Sequence, residues 1–247
     1  MSADKSLNAL SALVFDFDGT LVDSFPMFLA VFSSVVKPDE EKANFVIRHE
    51  SIRKLMREML VTEFEKGNER LRPKILLLKV FYNTCRKMGL NRYSALFKTL
   101  YSAYKVKKQY QEIELFSGAK ELLESLHEQG IPLILVTHSS RKSVLKILER
   151  YSLQNIFSII LDRGDLGSNK SQGIVDSLHA LGINPAQAIA IGDLPADILE
   201  AKAAGVKTVG VTTGPVNRDR LEAVQPDVLI ESIDQLKAVL EGDDSTL

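Results

Sequence analysis

The stretch Ala12-Leu13-Val14-Phe15-Asp16-Phe17-Asp18-Gly19-Thr20-Leu21-Val22-Asp23-Ser24 decides how the rest of the chain is read. Ala12 to Phe15 has the apolar continuity of a strand buried on both faces, yet it runs straight into two carboxylates at Asp16 and Asp18. In extended backbone, side chains at i and i+2 share a side, so both carboxylates point into one pocket while Phe17 turns away. Ionised carboxylates this close repel one another, and burial strengthens the repulsion, so the pattern calls for a compensating charge. Gly19 lets the backbone come close to whatever binds there, and Thr20 offers it a hydroxyl.

From about Phe116 onward, short apolar runs of the same kind alternate with amphipathic segments. Residues 131–136 end at Thr137-His138-Ser139-Ser140, residues 157–161 at Asp162, residues 188–191 at Gly192-Asp193, and residues 207–211 at Thr212-Thr213-Gly214; residues 227–230 close the series. The segments between them, residues 119–129, 173–181 and 196–204, carry helical spacing and stop at Gly130, Gly182 and Gly205. This alternation predicts an α/β fold with a doubly wound parallel sheet, and residues 10–15 join the same sheet by composition.

Between Phe25 and Glu114 the period changes. Phe28, Leu29, Phe32 and Val36 form a helical stripe, as do Ile47, Ile52, Leu55, Met56 and Leu60, then residues 75–88, then residues 93–110. About four helices inserted as a lid are expected, with turns at Gly67-Asn68, Arg72-Pro73 and Gly89-Leu90-Asn91. The domains are then a core of residues 1–24 plus 115–247 and an all-helical cap of residues 25–114.

In an open parallel sheet, ligands bind outside the carboxyl ends of the strands. Asp16 and Asp18 end the first strand, Thr137 the next and Asp193 a later one, while Lys170 is expected in a loop of residues 164–171. Hard oxygens from Asp16, Asp193 and a nearby carbonyl are the ligands Mg²⁺ takes, and the cation offsets the crowded charge. A carboxylate can also act as a nucleophile that forms an aspartyl-phosphate, and a second carboxyl two residues on can protonate the leaving oxygen and then deprotonate water. Thr137 Oγ and the Lys170 ammonium suit the phosphoryl oxygens, and His138 neighbours them as a further substrate contact.

These motifs resemble those of the haloacid dehalogenase superfamily over nearly the whole chain. Asp16 to Leu21 looks like its first motif, Thr137 its second, Lys170 its third and Gly192 to Asp197 its acidic fourth. The resemblance implies a Rossmann-like core with Asp16 as nucleophile, Asp18 as general acid/base, and Thr137 and Lys170 as phosphoryl binders. It further implies that Asp16, the Asp18 carbonyl and Asp193 bind Mg²⁺, with Asp197 supporting that site. A helical cap after the first motif is similar to the phosphoglycolate phosphatase and β-phosphoglucomutase branch. Two positions depart from many relatives: His138 follows Thr137 where they have Asn, and Ser171 follows Lys170 where they have Pro.

The expected activity is hydrolysis of a small phosphate monoester, phosphoglycolate-like or a sugar phosphate. A phosphomutase shares every core residue and stays open as an alternative; a receiver-like or phosphate-binding module is the non-enzymatic one. The 31 basic and 32 acidic residues give no global field to attract nucleic acid or an anionic membrane. Lys98, Lys105, Lys107 and Lys108 with Tyr101, Tyr104 and Tyr110 read as an ordinary basic helix face, and Arg48, His49 and Arg53 as a solvated one. With no apolar leader and no span of about 18 apolar residues, a soluble cytoplasmic protein is expected. An apolar lid surface, if exposed, would support a homodimer. Cys85 reads as a small buried hydrophobe, Asp162 and Asp165 as loop acids, and Thr137 also as a cap for a helix that begins near Ser139, a role that can coexist with phosphate binding.

Overall fold

The computed structural model describes residues 10–35, 54–55, 58, 73–166 and 169–242. The chain divides into two compact units: residues up to Asp23 together with those from Glu114 onward, and residues Ser24–Ile113.

The apolar runs of the larger unit form one six-stranded sheet: β1 (Ala12–Phe15), β2 (Leu133–Val136), β3 (Ile159–Leu161), β4 (Ala188–Gly192), β5 (Lys207–Val211) and β6 (Val228–Ile230). Every pairing is parallel, in the order β3-β2-β1-β4-β5-β6, so the doubly wound α/β expectation is borne out. Leu13 stands opposite Leu133 on one side and Ile189 on the other. The three central strands are buried at every residue, whereas the edge strands β3 and β6 are only partly so. Unbroken apolar runs without alternation follow from cover on both faces.

The helices of this unit are α4 (Ala119–Glu128), α5 (Arg141–Arg150), the short α6 (Arg163–Leu166), α7 (Lys170–Ala180), α8 (Pro195–Ala203), α9 (Arg218–Ala223) and α10 (Leu236–Glu241). On one face of the sheet, Ile174 and Leu178 of α7 and Ala201 of α8 share a core with Ala12, Val14, Ile134, Val136, Ala188 and Ala190. The alanines on both partners shorten the approach between α8 and β4, and that holds the beginning of α8 against the strand end.

Two helix starts differ from the expectation. α5 begins at Arg141, with Ser140 as its cap accepting from the Ser143 N–H, so Thr137 lies ahead of the helix. α7 begins at Lys170 instead of Gly173, capped by the Asn169 side chain. Gly173 is a helical residue because a Cβ there would lie 2.5 Å from Leu166 Cδ2 and 2.9 Å from Leu161 Cδ1. Close packing of α7 on β3 and α6 requires that glycine, and its low helix propensity misplaces the boundary when the sequence is read alone.

The smaller unit comprises α1 (Ser24–Val35), α2 (Pro73–Lys87) and α3 (Arg92–Gln109) among its described residues. Leu29, Phe32, Val80, Phe81, Cys85 and Ala95 form its core, with the Phe32 and Phe81 rings 4.7 Å apart. Burial pushes the Cys85 thiol up to about 11, in keeping with an inert packing role. Asn91 ends the turn before α3 and caps it, accepting from the Tyr93 and Ser94 N–H groups. Tyr93, Phe97, Leu100, Tyr101 and Tyr104 of α3 are exposed. The stripe from Ile47 to Leu60, the turn at Gly67-Asn68, and Arg48, His49 and Arg53 fall outside the described residues, apart from Leu55, which is helical.

Candidate active site

The strand order reverses at β1, which has β2 on one side and β4 on the other, so the crevice at their carboxyl ends is the place an open sheet offers a ligand. Asp16 leaves β1 with its N–H on the Ile191 carbonyl of β4 (2.9 Å), and Asp193 follows the end of β4. Thr137 leaves β2 with its N–H on the Leu161 carbonyl of β3 (2.9 Å). Parallel pairing thus brings three strand ends into one place.

Lys170 completes the group from the first position of α7. Its ammonium lies 2.6 Å from Asp16 Oδ1 and 2.7 Å from Asp197 Oδ1. Its backbone is also anchored, because Glu200 of α8 accepts the Lys170 N–H at 2.7 Å. Asp197 sits in the first turn of α8, where its other oxygen accepts the Leu194 N–H at 3.1 Å. It packs so closely on β4 that a Cβ at Gly192 would come within 2.4 Å of Asp197 Cβ.

Asp193 is almost fully buried, at 1 % exposure. Glycines hold it on two sides: a Cβ at Gly19 would lie 2.3 Å from its Oδ2, and one at Gly214 would lie 2.0 Å from the same atom. Gly19 also has φ +84°, a left-handed conformation that lets the chain fold back so that its N–H meets the Val22 carbonyl at 2.9 Å. The Thr213 hydroxyl donates to the Gly19 carbonyl at 2.5 Å, tying the loop after β5 to the loop after β1.

The charge balance is unfavourable. Asp16, Asp193 and Asp197 each offer an oxygen within 4.8 Å of the others. Burial, opposed by Lys170 and reinforced by Asp197 and Asp18, pushes the Asp16 carboxyl up to about 7. Burial and then Asp16 and Asp197 push Asp193 well above the ordinary range, against the pull of Lys170. Burial disfavours the Lys170 ammonium, but its two carboxylate partners outweigh that and raise its affinity for the proton. One ammonium among three buried carboxylates leaves negative charge unbalanced, and hard oxygen donors in that state suit a divalent cation such as Mg²⁺.

Of the residues expected from the sequence, Asp16, Lys170, Asp193 and Asp197 are in this contact network. Asp18 is bound to Ser139, whose hydroxyl donates to Asp18 Oδ2 at 2.6 Å, and Ser139 in turn donates its N–H to Thr137 Oγ1 at 3.0 Å. His138 lies half-buried between Thr137 and Ser139 on the same loop. Thr20 differs from expectation: it is fully buried and its hydroxyl donates to Asp193 Oδ1 at 3.4 Å, so it acts on the carboxylate instead of facing a ligand. Lys170 differs in its setting, on a helix and not in a loop. Asp162 accepts the Arg141, Gly164 and Asp165 N–H groups, the bonding of a turn acid.

Sequence reading passed over Ser139, Glu200, Thr213 and Gly214. Ser139 carries a faint signal, two residues after a strand-end Thr, and Thr213-Gly214 ends the next strand beyond β4. Glu200 carries none, since it reads as one more helix-surface acid.

The chain matches the family described as haloacid dehalogenase-like hydrolase over residues 13–211. It is 25% identical over 238 residues to a phosphoglycolate phosphatase of Synechococcus elongatus, covering 94% of this chain and 98% of that protein. It is 32% identical over 126 residues to the pyrophosphatase PpaX of Halalkalibacterium halodurans, covering 50% of this chain and 59% of that protein. A HAD-family hydrolase of Deinococcus radiodurans R1, solved with bound phosphate and sodium, superposes with a TM-score of 0.72 over 95% of this chain and 96% of that one; at 19% identity this establishes the shared fold. A match that runs from the first strand to the fifth takes in the whole acidic rim, and the chain belongs to the haloacid dehalogenase-like hydrolase family.

Proposed function

We propose that this protein is a Mg²⁺-dependent phosphatase of small phosphate monoesters that works through an aspartyl-phosphate at Asp16. The observation that carries the reading is Asp16 at the switch point of the sheet, paired with the buried Lys170 ammonium at 2.6 Å and followed two residues later by a second acid, Asp18. The names of the related phosphoglycolate phosphatase and pyrophosphatase support a phosphate-transfer chemistry.

In the first step an oxygen of Asp16 bonds to phosphorus while the ester oxygen departs with the proton of the Asp18 carboxyl. In the second, Asp18, now a carboxylate, takes a proton from water as that oxygen bonds to phosphorus and the bond from phosphorus to Asp16 breaks. Both carboxyl groups return to their starting states, and one ester and one water become an alcohol and a phosphate. Lys170 holds Asp16 and neutralises charge on the phosphoryl oxygens; Thr137 and His138 complete the contacts to that group, while the Gly19 backbone, its N–H on Val22 and its carbonyl on Thr213, shapes the loop around them. Mg²⁺ would be held by Asp16, the Asp18 carbonyl and Asp193, with Asp197 in support, and when bound it would supply charge compensation for the carboxylates and the phosphoryl oxygens. The helical unit is read as the cap that selects among esters.

The test is phosphate release from p-nitrophenyl phosphate with Mg²⁺ and with chelator, for the wild type and Asp16→Asn. Release that depends on the metal and falls by about 10³-fold or more in the variant supports the reading. Full activity in Asp16→Asn would refute it. Phosphoglycolate, pyrophosphate and sugar phosphates are the first natural esters and anhydrides to compare.

A further inference from the structure

We infer that Ser139 is a positioning residue for the acid/base step: its hydroxyl grips Asp18 Oδ2 and thereby fixes the orientation in which the Asp18 carboxyl meets the leaving group. The inference rests on the phosphatase reading and names a residue that the reading itself does not need.

The contact joins residues 121 positions apart, so only the fold creates it. At 2.6 Å it has the length of a charge-assisted O–H···O⁻ bond. Ser139 is itself held on both sides of its backbone. Its N–H donates to Thr137 Oγ1 at 3.0 Å, and its carbonyl accepts the Arg163 N–H at 3.4 Å. A hydroxyl mounted on backbone fixed in this way can hold a partner to one orientation.

The chemistry explains why one orientation matters. A general acid works only when its proton faces the oxygen that accumulates charge as the phosphorus–oxygen bond breaks. A carboxyl free to rotate places the proton on either oxygen. The Ser139 hydroxyl can donate to Oδ2 of the carboxylate and can turn to accept from a protonated Oδ2, so the contact persists in both states of Asp18. Asp18 therefore keeps one carboxyl orientation as it gives a proton to the leaving oxygen and takes one back from water. Thr137 and Ser139 are linked through the 3.0 Å bond, so the loop after β2 that supplies a phosphoryl contact also aims the acid.

An acid contributes little when the leaving group departs as a stable anion and much when it departs as an alkoxide. The experiment measures kcat/KM for p-nitrophenyl phosphate, phenyl phosphate and glycerol 2-phosphate with the wild type, Ser139→Ala, Ser139→Thr and Asp18→Asn. Ser139→Ala is expected to change p-nitrophenyl phosphate turnover by less than about threefold and glycerol 2-phosphate turnover by tenfold or more, within the range an acid supplies. Ser139→Thr, which keeps the hydroxyl, should restore most of the loss, and Ser139→Ala placed on Asp18→Asn should add almost nothing. A uniform loss across the three esters would mean that Ser139 contacts the transferring phosphoryl group, and it would overturn the inference while leaving the phosphatase reading intact. So would additive losses in the double variant, or a thermal midpoint in Ser139→Ala low enough to account for the loss while Ser139→Thr fails to restore the leaving-group dependence. A wild type that hydrolyses none of the esters would remove the phosphatase reading and the inference together.

Discussion

Lys170 Nζ lies 2.6 Å from Asp16 Oδ1, with the two side chains only 7% and 11% exposed, so the ion pair is nearly withdrawn from water. Its desolvation is offset because the same ammonium meets Asp197 at 2.7 Å and the Lys170 N–H is taken by Glu200. One lysine thus ties the end of β1 to the first turn of α8.

Lys170→Met follows directly. Removing one partner of a buried pair costs about 3–5 kcal/mol when the remaining charge stays ionised. Asp16 is already pushed up to about 7 and can neutralise itself by taking a proton, so the loss should fall at or below the lower end of that range. Urea unfolding at neutral pH measures it, and phosphate release in the same variant should be abolished although the protein still folds. A variant as stable as the wild type would mean that the ion pair contributes nothing net.

Asp193→Asn should act in opposite directions on stability and activity. The carboxylate is buried beside Asp16 and Asp197, and both push its proton affinity up. In chelator, removing that charge relieves repulsion, and each kcal/mol of relief raises the thermal midpoint by roughly 2–4 °C. Added Mg²⁺ should stabilise the wild type by binding the folded state and should do little for the variant. A variant that gains as much from Mg²⁺ as the wild type would take Asp193 out of the cation site.

Gly214→Ala tests the geometry around the same carboxylate. A Cβ there would lie 2.0 Å from Asp193 Oδ2, a separation no relaxed contact tolerates, so either the Thr213-Gly214 loop or the carboxylate must move. The loop is tied to Gly19 by the Thr213 hydroxyl, so displacement of Asp193 is expected. Mg²⁺-dependent stabilisation and phosphate release should both be lost, by tenfold or more in kcat/KM, a loss of about 1.4 kcal/mol or more in transition-state binding. Unchanged kinetics would show that the loop yields instead.

Gly214 also shows what a sequence read alone leaves out. Gly19 was legible as a close-approach glycine because it follows a strand and two acids, yet what approaches it is Asp193, a residue 174 positions away that no local pattern pairs with it. The sheet was legible because strands covered on both faces must be apolar throughout, and the acids were legible because they interrupt those runs. Lys170 was found by order along the chain, but its helical setting was hidden by Gly173, whose role is packing against Leu161 and Leu166. Ser139 and Glu200 were passed over because their partners, Asp18 and the Lys170 N–H, are supplied by other elements. Contacts made only in three dimensions leave no periodicity to read.

Asp162 supplies a pH dependence away from the catalytic rim. Burial raises its proton affinity, but the N–H groups of Arg141, Gly164 and Asp165 and the Arg141 charge together outweigh burial and hold its carboxyl below the ordinary carboxylate value. A depressed folded value means that the carboxylate stabilises the fold above the unfolded value of about 3.9, and that this contribution is lost as pH falls through the folded value. Asp162→Asn keeps an acceptor but loses the charge, so it should unfold more easily at pH 7 by on the order of 1 kcal/mol. The gap between wild type and variant should stay constant down to about pH 5 and close below about pH 4. Urea unfolding at those values checks it. A gap that persists unchanged in acid would show that shape, and not charge, makes Asp162 the fastening between the start of α5 and the end of β3.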